Sequence, residues 1–269
     1  MKEESFNPTD EGLKSLAIDP DVLAKELAAE VQGDPLDEID IGNSDSDNTR
    51  ILNECNLGLQ WLKLGHEERL QGLRVFCEHR DSRALPMLIP LLAEPCPVER
   101  MSAVYALSRN PSPLAIDKLL ELLEDDSNAY VRKAAAWSLG NYSNTSVMKP
   151  LLTALKQDVA AVRLWAASSL AEVGSISTEK AEIVVGELLL SLRIDQEPLV
   201  RSNCIWSLGR LYEILPQPRQ NDLSEGLFLV LLNDLEPSVR YEAKIALEQI
   251  NDPKVLQRLK MLIERGSLF

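Results

Sequence analysis

Leucine-rich stretches alternate with alanine-rich ones through most of this chain. ALPMLIPLLAE, AIDKLLELLED, VMKPLLTALKQD, AEIVVGELLLSLRID and LSEGLFLVLLND bring apolar residues back at three- and four-residue intervals, the stripe of an amphipathic helix. Each is followed, after a turn, by a second segment: VERMSAVYALS (98–108), VRKAAAWSLG (131–140), VRLWAASSLA (162–171), VRSNCIWSLG (200–209) and VRYEAKIALE (239–248). Their arginines, Arg100, Arg132, Arg163, Arg201 and Arg240, are 32, 31, 38 and 39 residues apart, and a weaker sixth copy begins at Arg69 in RLQGLRVFCE. Period-two alternation of Val, Ile and Thr, which strands need, is almost missing. The pattern predicts an all-α chain of about five to six helix pairs. No pair can bury its apolar faces alone, so the pairs must stack as an α-solenoid, an α/α superhelix.

The ends of the pattern predict different elements. Residues 49–64 and 253–265 read as capping helices, because a terminal unit must offer one face to water. The two long arginine spacings are expected to hold extra loop, at 174–180 and 214–222, where Gly, Ser, Pro and Asn cluster. Upstream, 34–48 is acidic and Ser/Asn-rich, with too little apolar surface to offset ordering entropy, and reads as a flexible linker. Residues 19–31 carry a helix start and an apolar side able to dock on the solenoid or on a partner. The expected division is therefore an acidic, largely flexible arm over 1–48 and a repeat solenoid over 49–269.

Within the second segments, positions can be counted from the arginine at 100° per residue. Val at −1, a small residue at +3 (Ala103, Ala135, Ala166, Cys204, Ala243), Ala or Ser at +6 and Leu at +7 share one face and read as packing positions. Acids keep step with the arginines: Asp126, Asp195 and Asp234 stand six residues before the next one, Asp158 five before, and Glu94 takes the place in the first copy. Positions +1, +2, +5 and +9 point away from the packing face. They hold Met101, Tyr105 and Arg109; Lys133, Trp137 and Asn141; Leu164, Trp165 and Glu172; Trp206 and Arg210; and Tyr241 and Ile245.

Composition narrows the chemistry. Lys plus Arg number 28 against 42 acids, which argues against binding nucleic acid or an anionic membrane through a general field. Fourteen of the acids and only four of the bases lie in residues 1–50, so the charge belongs mainly to the arm. Cys55, Cys77, Cys96 and Cys204 form no C-x-x-C pair, and the start MKEESFNPTD lacks an apolar signal core. No run approaches the roughly 20 apolar residues of a membrane span, so a reduced, cytoplasmic protein without membrane insertion is expected. Cys77 and His79 make a C-x-H short of a zinc pattern, and the cysteines read as ordinary buried thiols, with Cys96 placed in a turn between Pro95 and Pro97 where exposure is expected. Phosphate-binding, dinucleotide, nucleophile-elbow and zincin motifs are missing, and acid runs such as Glu124–Asp126 read as solvated helix ends. No catalytic residue, metal or cofactor is expected.

The recurrence of Asp, V-R-x-x-A and Leu-Gly every thirty-odd residues over about 66–250 resembles HEAT repeats of the phycobilisome-lyase-related subfamily. NAYVRKAAAWSLGNYSN followed by DVAAVRLWAASSLAEVG is further similar to cyanobacterial HEAT proteins that interact with A-type iron–sulfur carriers. The resemblance implies that Arg100, Arg132, Arg163, Arg201 and Arg240 form a structural ladder with Asp126, Asp158, Asp195 and Asp234, the acids also capping helices. It implies too that the second helices line a concave surface. Tyr105, Arg109, Lys133, Trp137, Trp165, Trp206, Arg210 and Tyr241 would then be partner-binding, since aromatic and Arg side chains give large contact area at low entropy cost. The implied function is a protein-binding scaffold for an A-type iron–sulfur carrier or a phycobiliprotein. The alternative it leaves open is a bilin lyase, a lyase subunit or a chromophore chaperone, with Arg109 and Arg210 holding propionates.

Overall fold

A computed structural model of the chain describes residues 45–142 and 147–265. The helix expected over 19–31 and most of the expected linker lie outside these residues. The chain divides at Thr49, and the repeats belong to the unit Arg50–Phe269.

Thirteen α-helices and no strand occur among the described residues. They are α1 (Asp45–Trp61), α2 (His66–Glu78), α3 (Leu85–Leu91), α4 (Pro97–Arg109), α5 (Ile116–Asp125), α6 (Ala129–Leu139), α7 (Met148–Gln157), α8 (Ala160–Gly174), α9 (Thr178–Ile194), α10 (Pro198–Leu211), α11 (Gln217–Asn233), α12 (Pro237–Gln249) and α13 (Pro253–Glu264). The first helix begins at Asp45, inside the stretch expected to be linker. Helices α2, α4, α6, α8, α10 and α12 pack each on the next as one layer. In the other layer α5, α7, α9 and α11 pack in sequence, so each pair contributes one helix to each layer and the solenoid is continuous.

Small residues set the spacing of the even-numbered layer. Ala103, Ala135, Ala166, Cys204 and Ala243 are fully buried, as are the leucines at 107, 139, 170, 208 and 247. The +6 serines add bonds between layer neighbours: Ser169 Oγ donates to the Ala136 carbonyl at 2.8 Å and Ser207 Oγ to that of Ala167 at 3.1 Å. Buried Asn110 closes the first turn region, its amide donating to the Phe76, His79 and Ala106 carbonyls and its oxygen accepting from the Asp81 N–H.

The extra residues of the long spacings are not mainly loop. Ser177 accepts from the Lys180 N–H and starts α9 at Thr178, and Pro218 sits in the first turn of α11, which starts at Gln217. Both helices run 17 residues. A good N-cap and a first-turn proline let the chain resume helix at once, so polar residues 217–222 are helical.

Candidate functional site

Each repeat arginine lies near the start of an even-numbered helix, from α4 to α12, and from Arg100 to Arg201 the guanidinium is divided between two repeats. Nη1 turns back to its own turn: Arg132 donates to the Asp126 carbonyl at 2.8 Å, Arg163 to that of Asp158 at 2.8 Å, Arg201 to that of Asp195 at 2.9 Å and Arg240 to that of Asp234 at 2.8 Å. Nε and Nη2 reach forward as a fork onto the carboxylate of the next repeat. Arg100 grips Asp126, Arg132 Asp158, Arg163 Asp195 and Arg201 Asp234, with all eight bonds between 2.7 and 2.9 Å. The same carboxylates accept backbone N–H groups of the turn, from Asn128, Val159, Glu197 and Glu236. Charged, bidentate and mostly screened from water, this is the geometry in which Arg–carboxylate pairs are strong. The pairing raises the affinity of Arg100, Arg132, Arg163 and Arg201 for their protons. Burial pushes the Asp234 carboxyl up, but hydrogen bonds from Arg201 and the Glu236 N–H outweigh it and hold the group below the usual carboxylate range.

The outward stripe divides into two parts. Tyr105, Trp137 and Trp165, on three successive even-numbered helices, are half-buried and touch in series: the first two centroids are 5.5 Å apart with rings tilted by 56°, the next two 6.3 Å apart and nearly perpendicular. Arg109 and Lys133 flank them, also half-buried. Trp206 and Tyr241 stand free by comparison, 51% and 54% exposed. The Arg210 guanidinium lies 4.9 Å from the Trp206 ring and pairs with Glu172. Between the two parts Ser168 donates to Asn203 at 2.9 Å. Leu164 is not on this surface. It is 5% exposed and packs inward, because α8 is apolar on nearly every side and covered by both layers.

A third cluster was not anticipated. His66, Cys96 and Glu99 bring a ring nitrogen, a sulfur and a carboxylate oxygen within 4.8 Å of one another. His66 Nδ1 is 3.0 Å from Glu99 Oε1, and Arg69 reaches the same oxygen at 3.2 Å and Glu94 at 3.3 Å. The signal was legible as a break in the repeat: the −1 position is Val131, Val162, Val200 and Val239 in the later copies, but Glu99 in the first. Treating the −1 position as valine throughout hid it. Among the described residues the remaining cysteines lack such company. Burial pushes the Cys77 thiol up to about 12 and raises Cys204 and Cys55 as well.

No helix among the described residues is long and apolar enough to cross a membrane. Models of HEAT repeats match residues 66–140, 116–191 and 185–215, so that together they span more than half of the chain. No curated protein matches its sequence. Among solved structures, the complex of CpcE and CpcF of phycocyanin lyase from Nostoc sp. PCC7120 is similar at 24% identity and a TM-score of 0.51, over 62% of this chain and 99% of that one. A designed armadillo-repeat protein in complex with the peptide (KR)4 is similar at 18% identity and a TM-score of 0.50, over 80% and 98%. Kap121p bound to Ste12p aligns at 17% identity and a TM-score of 0.57, over 73% of this chain but only 23% of the larger protein.

Proposed function

Because the chain is a HEAT-repeat protein, we propose that it is a scaffold whose protein partner seats on the aromatic stripe of the even-numbered helices, from Tyr105 to Tyr241. The observation that carries this reading is the exposure of Trp206 and Tyr241, 51% and 54%, in register with the half-buried rings of the preceding repeats. Leaving half of each ring in water forgoes roughly 1 kcal/mol of burial apiece, and a series of them on one edge recovers that only against another surface. Two structural neighbours are complexes with a peptide and with a protein, which supports the same use of the fold. Arg100, Arg132, Arg163 and Arg201 are forked onto carboxylates away from the stripe and serve as stitching, whereas Arg109, Lys133 and Arg210 lie on the stripe itself.

For the partner's identity, the repeat wording favours an A-type iron–sulfur carrier, as for the cyanobacterial IscA-interacting HEAT-repeat protein. The second reading is bilin handling on a phycobiliprotein, favoured by the structural likeness to the phycocyanin lyase pair. The test is to replace Trp137, Trp165 and Trp206 with Ala in the full chain. Purified A-type carrier and phycobiliprotein are offered to variant and wild type, with helicity recorded throughout. Loss of binding with intact helicity supports the stripe, and unchanged binding sinks it. A bilin added to the wild type shifts its visible spectrum only if the pigment is held.

A further inference from the structure

Glu99 is the charged residue that the fold buries most completely among the described residues. The four valines that occupy this position in later repeats are 0–1% exposed, and Glu99 is 3% exposed in the same environment. A carboxylate there loses its hydration, which is unfavourable unless charges and hydrogen bonds replace the water. The first repeat supplies less than the others do. Where each later junction pairs one Asp with a two-bond fork, Arg69 is shared between Glu99 and Glu94 by single contacts of 3.2 and 3.3 Å. One guanidinium thus faces two carboxylates, and local charge is left negative.

The neighbours of Glu99 complete a ligand set. His66 opens α2 with its side chain 54% exposed, and Cys96 is the N-cap of α4, held between Pro95 and Pro97. Cys96 and Glu99 both lie at the start of α4, on the side that faces His66. Imidazole, thiolate and carboxylate together suit zinc and disfavour magnesium or calcium, which take oxygen ligands.

We propose that His66, Cys96 and Glu99 form a three-ligand zinc site whose fourth position opens to solvent beside His66. Zinc bonds of about 2.0–2.3 Å place tetrahedral ligands about 3.3–3.8 Å apart. Three donors already within 4.8 Å therefore converge through small side-chain adjustments, most easily at half-exposed His66. The ion neutralises the excess charge, displaces the contact between His66 and Glu99, and ties the starts of α2 and α4 together across the first junction.

The test uses the full chain, stripped of metal by chelation under reducing conditions and titrated with Co²⁺ and with Zn²⁺. The wild type is expected to take one Co²⁺ with thiolate-to-cobalt charge-transfer absorption, which one equivalent of Zn²⁺ displaces. Cys96→Ser abolishes that absorption and Cys77→Ser leaves it. Glu99→Val, which restores the residue of the other repeats and keeps the fold by far-ultraviolet circular dichroism, weakens binding more than about 100-fold, beyond the loss typical of an outer-shell partner. A wild type without the absorption, its persistence in Cys96→Ser, or undiminished affinity in Glu99→Val overturns the assignment.

Discussion

Replacing Arg163 by Met puts the ladder to its sharpest test. Arg163 donates two 2.7 Å bonds to Asp195 and a third, of 2.8 Å, to the Asp158 carbonyl. The arginine side chain is 19% exposed and that of Asp195 only 6%. Methionine keeps the apolar stem and removes the charge, leaving Asp195 with the Glu197 N–H at 3.0 Å as its remaining donor. Removing one member of a buried pair costs about 3–5 kcal/mol. The partial access of water on the arginine side reduces this, so a loss of about 2–4 kcal/mol is expected. Lys156→Met is the control: its 2.8 Å pair with Glu187 has side chains 44% and 27% exposed and is worth less than about 1 kcal/mol. Urea unfolding followed by circular dichroism measures both. Hydrogen exchange should place the weakening at the junction of α8 with α9 and α10, because a solenoid opens between repeats. Adding Asp195→Asn to Arg163→Met should recover about 1–3 kcal/mol, since no buried charge then remains. An Arg163→Met loss no greater than that of Lys156→Met would refute the account.

Three further outcomes are expected from the same geometry. Gly140→Ala should cost about 1–3 kcal/mol, because a Cβ there would stand 2.9 Å from Ser169 Oγ and 3.3 Å from its Cα, whereas Gly209→Ala, with open space around its Cβ, should gain up to about 1 kcal/mol; both are read from urea midpoints. Asp234 has its folded pKa depressed, so its contribution is complete above the unfolded value of about 3.9 and disappears as pH falls through the lower folded value. The stability gap between wild type and Arg201→Met should therefore be constant near neutrality and close in acid below about pH 4; a gap unchanged at lower pH would contradict it. Cys77, pushed up to about 12, and Cys204, raised and fully buried, should resist iodoacetamide in the native chain and react once it is unfolded, as mass spectrometry of the labelled protein would show.

Much of the fold was legible because a solenoid writes its architecture locally. The +3 and +7 positions recur in each repeat with the same neighbours, so one helical wheel describes five buried faces, and the helix pairs follow from their spacing. Local signals failed where two of them competed. Polar residues at 217–222 read as loop, yet a proline in the first helical turn made them the beginning of α11. Leu164 takes an outward position on the wheel but is covered, because α8 has neighbours on more sides than an end helix. Glu99 was missed for the opposite reason: valine precedes the arginine in the four later copies, and averaging them conceals the acid at this position.

The helices, their pairing, the buried small residues and the arginines and acids in step are all written in periodicity within about forty residues. Which acid each arginine grips depends on how the repeats stack. The fork of Arg163 passes over its own turn to Asp195, 32 residues on, because stacking sets adjacent turns side by side. The same stacking separates Tyr105, Trp137 and Trp165, which touch, from Trp206 and Tyr241, which remain exposed, and brings His66 to Cys96 and Glu99. Such contacts depend on the distance between helices, a quantity fixed by how their side chains interlock and not by the spacing of letters along either one.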